Sequence, residues 1–216
     1  MINIRIDIVS DVVCPWCIIG YKRLEQALDQ LDGQVNAIIQ WHPFELNPAI
    51  GAEGQNLREH LAEKYGTSVQ ASAAARDSIT QLGKEVNFQF NFHDQMRIYN
   101  TRHAHQLLMW SSTLGLQLAL NMALFKAYFT EGKDISDDQV LLDIADKVGL
   151  NRTHAQLVID DTNWTDAVAS TEQQWLDAGI NAVPAIIINR KHLISGAQTV
   201  DVLTNALRQM VDMDAK

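Results

Sequence analysis

Strand-like alternation is confined to the two ends of this 216-residue chain, and nearly everything between Asn56 and Ala178 carries helical signals. Few folds place strands that way. At the N-terminal end Ile4, Ile6 and Ile8 alternate with Arg5 and Asp7, which predicts a strand with one buried face running to Ser10-Asp11. Just past Cys14 the period lengthens to that of a helix. Ile18, Tyr21, Leu24, Leu28 and Leu31 recur at three and four, so Pro15 to about Leu31 reads as an amphipathic helix ending near Gly33. Val35, Ala37, Ile39 and Trp41 alternate again, and Pro43 and Pro48 close that second strand because neither donates to a ladder.

Six helical stretches follow. The spacing predicts helices over Val69–Val86 and Thr101–Leu114, and a third through Leu120, Leu124, Phe125, Tyr128 and Phe129 that stops before Gly132. Ser136 with Gln139, and Thr153 with Gln156, have capping-box spacing; Gly149 is placed as a stop. Trp164 to Ala178 closes the block at Gly179. The strand signal then returns. Ala185–Ile188, a polar turn at Asn189-Arg190-Lys191, and His192–Ile194 form a hairpin, and Val202, Leu203, Ala206, Leu207 and Met210 predict a last helix whose final residues fray. The order β-α-β, helices, β-β-α is an α/β, thioredoxin-like fold with an all-helical domain inserted between its halves. Residues 1–48 and 180–216 form the discontinuous thioredoxin-like domain; residues 49–179 form the insertion.

The chain has only two cysteines, in Cys14-Pro15-Trp16-Cys17, at the first strand-to-helix turn. So short a loop makes a poor structural staple, and the pattern is not that of a disulfide-framed secreted scaffold. With Cys14 as helix N-cap, Pro15 falls at the first helical position, where its missing N–H is no loss. A sulfur at the N-cap faces unpaired N–H groups and the positive end of the helix dipole, both of which stabilise a thiolate. Cys14 is therefore the expected nucleophile. Cys17, one turn on and on the same face, is placed to close a disulfide with it. Cys14 would attack a substrate disulfide, and Cys17 would then attack Cys14 to release the product.

Half a zinc site is the competing use of a Cys-x-x-Cys pair, but no second pair exists, and His103 and His105, two apart on a predicted helix, point to different faces. No metal is expected. Acidic residues outnumber basic ones by 26 to 17, a formal charge of -9 that repels phosphate backbones and disfavours nucleic acid. The start of the chain lacks the apolar run of a signal peptide, and no stretch is long enough to span a bilayer, so a cytoplasmic location without membrane partners is expected. Val183-Pro184 stands where a proline opens a strand. With a cis bond, the Val183 backbone would lie free beside Cys14 for an extended substrate to pair with.

Several segments together resemble the DsbA family, specifically its FrnE-like cytosolic branch. They are Ser10-Asp11-Val12-Val13-Cys14-Pro15-Trp16-Cys17-Ile18-Ile19-Gly20, Trp41-His42-Pro43-Phe44-Glu45-Leu46-Asn47-Pro48, Asn100-Thr101-Arg102 with Ala104-His105, Val183-Pro184-Ala185, and Ser195-Gly196-Ala197-Gln198. The resemblance implies a cis Val183-Pro184 bond, Cys14 attacking and Cys17 resolving. It departs from family habit at Ile8, six residues before Cys14, where many thioredoxin-like proteins keep a proton-shuttling acid. Proton transfer then falls to water or another group, with His105 a candidate. Asn47 and Asn100 are candidates for the substrate groove, with turn formation and helix capping as their structural alternatives. Trp16 is expected to shield the disulfide and meet substrate, whereas Trp41, Trp110, Trp164 and Trp175 are expected in packing.

The function expected is thiol–disulfide exchange with protein or small-molecule thiols and disulfides. It needs no cofactor beyond the Cys14–Cys17 disulfide, with glutathione available as reductant or co-substrate. Two alternatives stand beside it. One is a glutathione-dependent transferase or isomerase of the kappa or 2-hydroxychromene-2-carboxylate type, which usually carries a single serine-type residue in place of the pair. The other is a non-catalytic chaperone or partner-binding module. The direction of electron flow, and monomer against homodimer, stay open.

Overall fold

Ile4, Ile6 and Ile8 are fully buried on one face of β1 (Ile2–Ser10), which lies at the centre of a four-stranded sheet. Its neighbours are β2 (Val35–Pro43), parallel to it, and β5 (Ala185–Ile188), antiparallel; β6 (His192–Ser195) completes the order β2-β1-β5-β6. A computed structural model describes residues 2–31 and 33–214 of the chain. The expected fraying concerns residues 215 and 216, which lie outside that range, and α9 (Val200–Asp214) is helical up to it.

The faces of the sheet follow the two-residue alternation. Ile4, Ile6, Ile8, Ile186 and Ile188 pack with α1 (Pro15–Asp29) and with Leu203 and Leu207 of α9. Val9, Ala185 and Ile187 face the other way, onto Phe44, Ile180 and Trp175. Val202, expected on the apolar face of the last helix, is exposed; the buried face is instead Leu203, Thr204, Leu207 and Met210. The hairpin turns at Asn189 and Arg190, both left-handed with φ of 51° and 56°, a primed geometry that matches the twist of the flanking strands.

Between β2 and β5 lie β3 (Gln55–Asn56), α2 (Leu57–Tyr65), α3 (Val69–Glu85), β4 (Arg97–Ile98), α4 (Arg102–Ser112), α5 (Gln117–Phe129), α6 (Asp138–Lys147), α7 (Arg152–Asp160) and α8 (Thr162–Asp177). The block is mainly but not wholly helical: residues 86–101, between α3 and α4, are turn and irregular chain around β4, and the two-residue β3–β4 ladder is too short for periodicity to register. Three helix starts shift from expectation; α8 begins at Thr162 behind an Asp161 cap rather than at Trp164. Asp137, not Ser136, caps α6, because the Ser136 hydroxyl bonds Asp134; Asn151, not Thr153, caps α7. On α5, Leu120, Leu124 and Phe125 are fully buried, and each such side chain contributes about 1.5–3 kcal/mol. Its first residue, Gln117, caps the sheet edge: the side-chain amide both accepts from Trp41 N–H at 3.0 Å and donates to Trp41 C=O at 3.0 Å.

Asp7 breaks the alternation rule. It sits on the second face of the sheet, yet it is 1 % exposed, because Arg5 and His42 Nε2 (2.7 Å) both bond its carboxylate and Trp175 covers His42. Burial opposes its ionisation, but those hydrogen bonds outweigh it and hold Asp7 below the usual carboxylate range. Burial also lowers His42, ahead of the opposing pull of Asp7. Both shifts act in one direction. The unfolded chain binds these protons first, so their stabilisation is complete above the free histidine value of about 6.5 and is lost as pH falls, with Asp7 adding to the loss below about 4. The urea midpoint should therefore drop between about pH 7.5 and 5.5, and His42→Gln should flatten that slope.

Candidate functional site

Where β1 ends, Cys14 N–H donates to Asp11 C=O at 3.0 Å, and this turn delivers Cys14 as the extended N-cap of α1, with Pro15 first in the helix. The Cys14 side chain caps nothing in its own helix. Its sulfur lies 3.9 Å from the Val183 carbonyl, and the Val183-Pro184 bond is cis. Cys17 is one turn further in and 0 % exposed. Burial first, then the neighbouring Cys14, pushes its thiol well up; the Ser10 hydroxyl and Asp11 backbone beside it act the other way. The second sulfur is thus kept as a thiol until something takes its proton. Gly20 lets the helix approach the proline: a Cβ there would stand 3.2 Å from Pro184 Cγ and 3.4 Å from Ala197 Cα.

The five segments singled out in the sequence meet around this turn. Asp11 accepts Leu46 N–H at 2.8 Å and lies 3.4 Å from His105 Nε2. Arg102 pairs with the buried Glu45, whose own N–H donates to Glu172 at 2.7 Å. Asn100 accepts Arg102 N–H at 2.9 Å and donates to Pro48 C=O at 3.1 Å, so it braces the turn before α4, whose N-cap is Thr101 rather than Asn100, and ties down the 45–48 loop. Lys64 holds Asn47 from the other side at 2.7 Å. Gly196 N–H donates to Pro184 C=O at 2.8 Å, and Arg23 reaches Ala197 C=O at 2.8 Å. Asp11, Ser10 and the Glu45–Arg102 pair were not among the candidates read from sequence. Asp11 had one available signal, an acid flanked by Val9, Val12 and Val13 immediately before the cysteines.

A cavity of about 390 Å³ opens at Cys14. Cys14, Pro15, Trp16, Asn47 and Val183 line it from one side, and Leu57, Ile79, Phe92, Ile98 and Phe129 wall it from the other. Trp16 is 41 % exposed at its rim, while Trp41 is buried and Trp110, Trp164 and Trp175 pack against the cores. Pro184 lies behind, on Gly20; Asn100 and His105 do not reach this cavity. His103 bonds Asp138 at 2.7 Å on the outer face of α4, opposite the buried His105. Among the described residues no group of three or more His, Cys, Asp or Glu is placed to hold a metal, and no helix is long and apolar enough to cross a membrane.

Similar proteins agree with this architecture. The chain is 26 % identical to the uncharacterised protein YwbO of Bacillus subtilis (strain 168), covering 95 % of this chain and 96 % of that one. It superposes with a TM-score of 0.87 on a probable DsbA oxidoreductase from Streptomyces coelicolor, 29 % identical, over 95 % of this chain and 89 % of the other. A 2-hydroxychromene-2-carboxylate isomerase shares the fold at a TM-score of 0.72 and 16 % identity, over 98 % of both chains, so fold alone does not separate redox chemistry from isomerisation. The model of the DsbA-like thioredoxin domain matches residues 5–208. With a helix-start cysteine pair and that match spanning nearly its whole length, the chain belongs to the DsbA-like thioredoxin-domain family of thiol–disulfide oxidoreductases.

Proposed function

We propose that this protein exchanges disulfides with protein or small-molecule thiols through Cys14 and Cys17, as a member of the FrnE-like cytosolic branch. One observation carries the reading. A sulfur at a helix start borders a substrate-sized cavity, and a second sulfur, fully buried, waits one turn behind it. The Cys14 thiolate attacks a substrate disulfide, forming a mixed disulfide and expelling one substrate thiolate. Cys17 then loses its proton and attacks Cys14 Sγ, breaking the mixed bond and releasing the second thiolate with its electron pair. Two electrons pass from the cysteine pair to the substrate, and the reverse sequence oxidises a dithiol.

Residues 1–48 and 180–216 supply the sulfurs and Val183, and residues 49–179 supply the cavity's far wall, the division of labour expected of a core domain with an insertion. That wall is mostly apolar and suits the apolar flank of a peptide or small-molecule disulfide. The pair stores the electrons itself, with glutathione as reductant or co-substrate in a reducing cytoplasm. Retention of Cys17 favours this chemistry over glutathione transfer or isomerisation, in which a resolving thiol has no part. The test compares insulin disulfide reduction with glutathione conjugation of an aromatic electrophile. Reduction that needs both cysteines is expected; conjugation surviving Cys17→Ala, with no insulin reduction, would replace the reading.

A further inference from the structure

The far wall of the Cys14 cavity carries two polar side chains that the exchange chemistry leaves unused. His60 of α2 and Ser72 of α3 both line it, and they are 9 and 3 % exposed. Other polar groups of the lining are already engaged: Asn47 with Lys64, the Arg76 guanidinium with Asp94, and the Tyr128 hydroxyl with Arg97 C=O at 3.0 Å. The Ser72 hydroxyl has no partner. His60 is held on one edge alone, where its Nδ1 lies 2.7 Å from Gln55 Oε1. Gln55 is itself fixed, because its amide nitrogen donates to the Glu63 carboxylate at 2.6 Å. A carboxylate accepts, so that bond turns the Gln55 oxygen toward His60, and this oxygen in turn demands the proton on Nδ1. The chain Glu63–Gln55–His60 thus fixes the tautomer and leaves Nε2 with a lone pair. Gln55 is not part of the lining, so the opposite ring edge, the one carrying Nε2, is left to the cavity. Burial first, then Lys64, lowers His60, which keeps the ring neutral at ordinary pH.

We propose that His60 Nε2 selects the substrate: it accepts a hydrogen bond from a neutral donor, a hydroxyl or an amide N–H, carried by a small apolar disulfide whose sulfur Cys14 attacks. The inference deepens the exchange reading and rests on it. Leu57, Ile79, Phe92 and Phe129 surround the body of such a compound, and a cavity of about 390 Å³ is of small-molecule size. An acceptor in an apolar wall is costly when left unpaired, so a compound that brings a donor is matched and one that lacks it is rejected. A carboxylate gains nothing there, because it would meet a lone pair with a lone pair. In the reaction Cys14 Sγ bonds to the nearer substrate sulfur, the substrate S–S bond breaks, and the farther sulfur leaves as a thiolate with the bonding pair. His60 exchanges no proton; it positions the compound.

Two symmetrical compounds make the test, bis(4-hydroxyphenyl) disulfide and bis(4-methoxyphenyl) disulfide, which differ in the donor and little at the sulfur. The readout is the rate constant for thiol release by the pre-reduced protein, each divided by that of the same compound with N-acetylcysteine. The protein should prefer the hydroxyl compound by about tenfold or more. His60→Phe fills the space without an acceptor, and should bring the ratio to about one while the methoxy rate changes by less than about twofold. His60→Gln returns an acceptor and should recover part of the preference. Gln55→Met leaves the ring but frees its tautomer, and should lower the preference by about threefold; it decides the question if His60→Phe does not fold. A ratio near one in the unmodified protein, or a full preference kept in His60→Phe, would overturn this inference alone, since both compounds are still reduced. No thiol release from either compound, with insulin also left intact, would overturn the exchange reading beneath it.

Discussion

Cys14→Ser should abolish insulin reduction, lowering the rate by at least about a thousandfold, because a hydroxyl at the helix start stays protonated where a thiol supplies its anion. Stability should hardly change, since serine occupies nearly the same space at a position whose sulfur caps nothing in its own helix. Cys17→Ala should fail differently. Attack by Cys14 still occurs, but the mixed disulfide has no thiol behind it, and the adduct should accumulate and be visible as added substrate mass in intact-protein mass spectrometry. The two variants thus divide the reaction at its intermediate. A non-catalytic chaperone role predicts the opposite, full effect of Cys14→Ser protein on client aggregation and no adduct in either variant.

Arg102→Met should cost about 3 kcal/mol in a urea titration, the low end of the range for stripping the partner from a buried charge, because the Arg102 side chain keeps 25 % of its surface in water whereas that of Glu45 keeps 1 %. For a chain of this size that is a loss of about 6–12 °C in Tm. Glu45→Gln placed on top of Arg102→Met should restore much of the difference, since the uncompensated charge is then gone. This double-mutant comparison separates the ion pair from simple loss of packing. Disulfide exchange should weaken as well: the pair anchors the loop that carries Leu46 and Asn47 into the wall of the Cys14 cavity. Unchanged stability in Arg102→Met would show that the guanidinium contributes little to holding the buried Glu45 carboxylate.

Local chemistry was enough to read the strands, the long helices, the hairpin and the cysteine pair at a helix start, because periodicities of two and 3.6 and the demands of an N-cap are properties of neighbouring residues. The same locality explains what escaped. Ser136 and Asp137 are both plausible caps, and the choice turned on a bond to Asp134; two-residue strands carry no period; Val202 and Leu203 differ only in which side of α9 meets α1. Pairing of Asp11 with His105, Glu45 with Arg102 and Asp7 with His42 depends on how a sheet and helices far apart in the chain pack, and nothing in a residue's own neighbourhood records it. The sequence by itself determined that a cysteine pair would stand at the first strand-to-helix turn. Only the tertiary structure decided what surrounds it, an apolar cavity with His60 and Ser72 on its far wall, because burial is set by the whole packed molecule.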